Sequence, residues 1–283
     1  MPRSRCVLLA ALALLALPIL HGQASPSSIA AEIKTLRSLS AQQRPITTIK
    51  VAGEVSALPP SIQKLQLADA LAHLVTEGDQ GQDALQAVAG TLAKSLAENP
   101  LQAKDNQIPM PYLDLAKLVR YAGVKITLND PLFAKADQQL AANEADIAKA
   151  DFTLKDLHNK KWTFSQLRGK IVLVNFWATW CPPCRLEMPD LDAIYTHFRS
   201  QGLIILSITD EEAFKVNSFI APSGYHPPVL IDTDGAVHEQ FHVQGIPETF
   251  VFDRDGKLVG TAIDQRTQRQ FFGLLAKAGL QPQ

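Results

Sequence analysis

Ile171-Val172-Leu173-Val174-Asn175-Phe176-Trp177-Ala178-Thr179-Trp180-Cys181-Pro182-Pro183-Cys184 is the stretch on which the reading of this chain turns. Its first six residues make a near-continuous apolar run, the pattern of a strand buried on both faces. Pro182 and Pro183 suit the first turn of a helix, where their missing N–H groups had no partner and φ is already set. The strand therefore ends near Phe176, a helix runs from residue 182 to about 199, and the two cysteines straddle its start. That geometry separates their roles. Cys181 sits where the orphan N–H groups and positive dipole end of a helix favour a thiolate, so it is the candidate nucleophile. Cys184, one turn in, is placed to attack a mixed disulfide on Cys181 and is the candidate resolving thiol. The prolines stiffen the loop that must close between them.

Towards the C-terminus, from Asp151 onward, short β-type runs alternate with helical ones, the pattern of an α/β unit. Residues 152–154 and 161–164 form a hairpin across His158-Asn159. Strands follow at 203–208, 229–231, 249–253 and 257–262, with helices near 211–220 and 268–278. Arg254-Asp255-Gly256 is a tight turn, so the two strands it joins are antiparallel and the sheet is mixed. Towards the N-terminus, residues 25–149 read as helix after helix, with stripes such as Ile62, Leu65, Ala68, Leu71 and Val75. This segment has no cysteine, no Gly-rich phosphate loop and no metal-ligand cluster legible in sequence, and His73 reads as an ordinary helix residue.

Arg3 and Arg5 precede an apolar run from Val7 to Leu20 and the small-residue pattern Gly22-Gln23-Ala24, which is the plan of an export leader cleaved after Ala24. The run falls short of the ~20 residues that cross a bilayer, which leaves an uncleaved tether as the alternative. The expected division is a leader over 1–24, a helical segment of unknown role over 25–149 and the α/β unit over 150–283. Loss of Cys6 with the leader leaves Cys181 and Cys184 as the only thiols, excluding a structural disulfide framework. In an oxidising compartment such a pair is a bond that is made and broken. With 27 basic and 28 acidic side chains, the formal net charge of −1 provides no cationic field for nucleic acid. Zinc at the cysteine pair needs further ligands, and the histidines show no tight ligand spacing; haem attachment needs His where Arg185 stands. No metal and no cofactor is expected.

The segment from Gly169 through Pro189, with Ala150-Asp151-Phe152-Thr153-Leu154-Lys155-Asp156-Leu157 before it, resembles the thioredoxin superfamily, and within it the TlpA/ResA-like exported thiol-disulfide oxidoreductases of the redoxin (AhpC-TSA) type. The resemblance covers residues 150–283 only. It implies a thioredoxin-like mixed central sheet flanked by helices, and reduction of protein disulfides with electrons from a membrane thiol-disulfide carrier. By the same resemblance Gly245-Ile246-Pro247-Glu248-Thr249-Phe250 carries a cis Ile246-Pro247 bond beside the redox pair, with backbone at Ile246 presented to an extended substrate. Trp180, Pro182, Pro183, Ile246 and Pro247 make up the expected substrate-binding collar. Cytoplasmic thioredoxins carry a buried Asp where this chain has Asn175. Glu187, one turn beyond Cys184, matches a glutamate of the ResA-like group and is the candidate proton acceptor for the resolving thiol. Two other readings stay open: a peroxiredoxin-like peroxide reductase, and a non-enzymatic partner-binding module.

Overall fold

The computed structural model describes residues 24–280 except Asn106. The leader assigned to residues 1–24, with Cys6, lies outside them save for Ala24. Six helices come first: α1 (Pro26–Thr35), α2 (Gln43–Ala57), α3 (Ile62–Val75), α4 (Gly81–Glu98), α5 (Met110–Ala122) and α6 (Pro131–Ile147). Their ends follow capping chemistry. Ser61 accepts from the N–H of Lys64 at the start of α3, Asp130 accepts from Leu132 at the start of α6, and Gly123 takes a left-handed conformation after α5. One apolar core joins them through residues such as Leu36, Val55, Leu71, Val88 and Leu115. The sequence stripes did not single out α2, because only Val51, Ala52 and Val55 are its buried apolar residues and Thr48 occupies a core position. The buried Thr48 hydroxyl donates to the Gln80 side chain at 2.8 Å, which offsets its desolvation.

The second half is built on a seven-stranded sheet in the order β2-β1-β5-β4-β3-β6-β7. Its strands are β1 (Thr153–Asp156), β2 (Lys161–Thr163), β3 (Ile171–Phe176), β4 (Leu203–Thr209), β5 (Val229–Ile231), β6 (Glu248–Phe252) and β7 (Leu258–Ile263). β3, β4 and β5 are parallel neighbours, while β1–β2, β1–β5, β3–β6 and β6–β7 pair antiparallel. Every residue of β3 is buried, as a central strand covered on both faces requires. The intervening helices are α7 (Pro182–Phe198), α8 (Ala213–Ile220), α9 (Ala236–Gln240) and α10 (Gln268–Lys277). This is the mixed, helix-flanked sheet that the resemblance implied.

Two apolar clusters cover the sheet. Leu173, Leu191, Ile205, Val251 and Phe271 form one, on the side of α7 and α10. The other is aromatic, and Phe241 lies at its centre, 1% exposed, with ring centroids at 5.3 Å from both Phe176 and Phe250 and 5.9 Å from Phe152. Ile147, the last residue of α6, belongs to this second cluster, so the final helix of the first half ends inside the core of the second. The halves also meet at the α3–α4 turn. Gly78 donates its N–H to the Gln265 carbonyl at 2.9 Å, Thr76 donates its hydroxyl to Asp264, and the Arg269 Nε donates to Asp79 at 2.8 Å.

Phe241→Ala removes the ring shared by both ends of the aromatic cluster and should cost ~3–5 kcal/mol, with Phe241→Leu costing clearly less. Urea unfolding of the oxidised protein measures both; a loss below ~1 kcal/mol for the alanine variant would show that the cluster does not hold the sheet face.

Candidate redox site

Cys181 is the N-cap of α7, in extended conformation (φ −87°, ψ 107°), and its Sγ accepts the backbone N–H of Cys184 at 3.2 Å. Pro182 and Pro183 occupy the first two helical positions. Cys181 and Cys184 are joined in a disulfide, with Cα atoms 5.3 Å apart. The pair sits in an apolar cluster with Trp177, Ala178, Met188, Val216 and Ile220. Cys181 retains 2% exposure and Cys184 none. Trp177 is core, at 1% exposed, whereas Trp180 stands 65% exposed immediately before the outer sulfur.

Two loops frame the pair. The Ile246–Pro247 peptide is cis, and the Ile246 carbonyl oxygen lies 3.7 Å from Cys181 Sγ. The Trp177–Cys181 loop is tied down by Glu211, whose carboxylate accepts from the Thr179 N–H and, at 2.9 Å, from the Thr179 hydroxyl. Lys215 pairs with that carboxylate. Arg185 lies with its guanidinium 5.4 Å from the Phe219 ring centroid. The expected collar residues Trp180, Pro182, Pro183, Ile246 and Pro247 thus gather at the helix start and the loop facing it.

Glu187, three residues after Cys184 on α7, is buried, 1% exposed. Its Oε1 accepts from Asn175 Nδ2 at 2.8 Å and its Oε2 from the backbone N–H of Arg266 at 3.0 Å. Asn175 also donates to the Thr249 hydroxyl at 3.0 Å, across the β3–β6 pairing that sets the two residues opposite one another. Burial pushes the Glu187 carboxyl up to about 8, outweighing the donors from Arg266 and Asn175, which favour the charged form. A neutral carboxyl and a carboxylate are therefore both accessible near neutral pH.

Glu211, Thr249 and Arg266 were not legible as site residues. Glu211 is distant in sequence, and only the parallel β3–β4 pairing carries its loop to Thr179. Arg266 contributes a backbone N–H, for which side-chain identity gives no signal.

The AhpC/TSA family matches residues 146–261. Over 161 residues the chain is 34% identical to the thiol-disulfide oxidoreductase ResA of Bacillus anthracis, covering 56% of this chain and 91% of that one. With the ResA of Bacillus subtilis it shares 33% identity over 152 residues, 53% of this chain and 83% of that one. Among solved structures it is similar to a thiol:disulfide interchange protein of the thioredoxin family from Chlorobium tepidum, at TM-score 0.42 and 30% identity, covering 45% of this chain and 92% of that one. It is likewise similar to StoA from Bacillus subtilis, at TM-score 0.41 and 24% identity, covering 44% of this chain and 96% of that one.

The raised Glu187 pKa has a thermodynamic sign. Between the ordinary carboxyl range and about 8 the folded protein holds a proton that the unfolded chain has lost, so stability falls as pH rises through that window. Glu187→Gln removes this contribution. Between pH 5 and pH 8 the variant should therefore gain on wild type, by ~1.4 kcal/mol for each pH unit over which folded Glu187 keeps its proton. Denaturant titrations at the two pH values read the difference directly, and equal offsets at both would mean that Glu187 does not titrate there.

Proposed function

The chain belongs to the ResA family of thiol-disulfide oxidoreductases, and we propose that it acts outside the cytoplasm, reducing protein disulfides through the Cys181–Cys184 dithiol. The observation that carries this reading is the placement of Cys181. It caps α7, its sulfur receives the Cys184 N–H, and of the two cysteines it alone keeps any exposed surface. A thiolate there is stabilised by the helix terminus and is the one a substrate can reach.

In the reduced enzyme the Cys181 thiolate attacks one sulfur of a substrate disulfide. A bond forms between Cys181 and that sulfur, and the other substrate sulfur leaves as a thiolate. Cys184 then gives up its proton and attacks Cys181 Sγ, closing the Cys181–Cys184 bond and expelling the second substrate thiolate. Water supplies the protons that complete the substrate thiols. The substrate gains two electrons and the enzyme pair loses two, so a dithiol donor must restore the reduced state; a membrane thiol-disulfide carrier is the source that family membership suggests.

Glu187 is the proposed acceptor of the Cys184 proton. A carboxyl near 8 lies close to the ordinary thiol pKa of ~8.5, so transfer to the carboxylate form of Glu187 is nearly balanced, and that form grows as pH rises towards 8. The collar of Trp180, Pro182, Pro183, Ile246 and Pro247 is the proposed substrate-binding surface, with the backbone at Ile246 offered to an extended peptide beside Cys181. Residues 1–24 are the proposed export leader, 25–149 a helical unit and 150–283 the thioredoxin-like unit. No helix among the described residues is long and apolar enough to cross a membrane.

Cys184→Ser should leave Cys181 bound to protein partners as a mixed disulfide, recoverable by non-reducing electrophoresis and mass spectrometry. Wild type should reduce insulin and end with an internal Cys181–Cys184 bond. Failure to trap any partner while Cys181 still reacts with an alkylating agent would defeat the assignment of protein substrates. Mass spectrometry of the secreted chain should place its first residue at Ser25; retention of the leader would favour the tethered form.

A further inference from the structure

Away from the cysteines, the helical half brings together three residues that sequence spacing alone does not unite. Asp69 and His73 lie one turn apart on α3 and so share a face, and α5 carries Asp114 to the same place. His73 Nε2 lies 3.4 Å from Asp114 Oδ2 and 3.9 Å from Asp69 Oδ2, and one ligand atom from each residue falls within 4.8 Å of the others. Ligands bound tetrahedrally at ~2.0–2.2 Å stand ~3.3–3.6 Å apart, so this triad needs only small side-chain adjustments to close on an ion.

A second observation concerns unmet valence. Asp114 is buried, 8% exposed, and its Oδ2 accepts no hydrogen bond; Asp69 Oδ1 is likewise buried without a donor. Lys117 approaches the other side of Asp114, with Nζ 4.0 Å from Oδ1, and leaves Oδ2 turned towards His73. Two carboxylates brought together in a shielded site repel unless a proton or a cation is held between them, and a metal ion is the cation that would also use the unmet Oδ2 of Asp114. Against this face opens a cavity of about 140 Å³ lined by His73, Asp114, Lys117, Pro247, Glu248 and Asp264, room enough for water to complete a coordination shell.

We propose that Asp69, His73 and Asp114 bind one divalent transition-metal ion of the Zn²⁺ class, with a fourth position open to the cavity beside the Pro247 loop. The imidazole nitrogen selects for zinc and its neighbours over Mg²⁺ or Ca²⁺, which favour all-oxygen shells. Three protein ligands with one open position match zinc sites that exchange their fourth ligand rather than closed structural ones. His73, with 55% of its side chain exposed, is the entry side.

The test uses untagged, fully oxidised protein, so that the disulfide keeps Cys181 and Cys184 from acting as ligands. Calorimetric titration with ZnCl₂ at neutral pH should show one equivalent bound, and Co²⁺ should give the visible absorption of a low-symmetry site. His73→Ala should weaken binding at least tenfold, and so should Asp114→Asn, with helical circular dichroism retained in both. His73→Ala alters a half-exposed side chain, so the test survives even if Asp114→Asn fails to fold. No uptake of zinc by the oxidised protein, or uptake unchanged in His73→Ala, overturns the proposal and leaves the triad as a histidine–carboxylate cluster.

Discussion

The hydrogen bond from the Cys184 N–H to Cys181 Sγ ties the chemistry of this chain to its fold, because it exists only if β3 ends and α7 begins at that point. The two prolines make the junction cheap, since the helix gives up no donor by having them there. Each neighbouring constraint keeps the junction in register. Glu211 holds the loop from one side through Thr179, and the Ile246–Pro247 loop meets Cys181 from the other. A sulfur fixed in this way meets both the positive end of a helix and the Ile246 carbonyl of the facing loop.

Beneath the junction, the chain departs from a purely apolar core. Asn175 on β3, Thr249 on β6 and Glu187 on α7 form a buried polar chain, completed by the Arg266 N–H. Such a network is stable only when its members are satisfied, and here each carboxylate oxygen has a donor. Burial still wins for Glu187, whose proton affinity rises to the range of a thiol. Asn175 in place of a carboxylate keeps a further negative charge out of this pocket; Glu187, on the helix that carries Cys184, and Glu248, opposite Phe176 at the end of β3, are two carboxyls beside the strand that burial pushes up to about 8.

The strand–helix junction, the hairpin and the antiparallel β6–β7 pair were legible in sequence because apolar runs, Pro and Asp-Gly each act locally. β3 begins and ends at the expected residues, and α7 stops one residue before the expected end. What escaped depends on side-chain partners that lie outside the element concerned. α9 is short, its N-cap is Gly235, and the N–H groups of Val237 and His238 are met by the Asp232 carboxylate upstream of it, a signal unrelated to helical periodicity. α2 was hidden by Gly53 and by a threonine whose partner, Gln80, precedes a different helix. His73 reads as unremarkable until α5 sets Asp114 against it. Local propensity places elements, while the juxtaposition of side chains across elements is a property of packing.

The seam between the helical half and the sheet reaches towards the redox site at two loops: α3 and α5 line a cavity with Gly245 and Pro247, and the α3–α4 turn holds the loop after β7. The α3–α4 turn holds residues 264–270 by the Thr76–Asp264, Gly78–Gln265 and Arg269–Asp79 contacts, and Gln270 adds a bond to the Gly78 carbonyl at 3.2 Å. The same loop supplies the Arg266 N–H to Glu187. Contacts of this kind are polar and directional, closer to those between separable units than to a shared apolar core. Their loss would free the loop and withdraw one of the two donors that favour the charged carboxylate, raising the proton affinity of Glu187 further. The helical half therefore bears on Glu187 by holding in place the loop that supplies the Arg266 N–H.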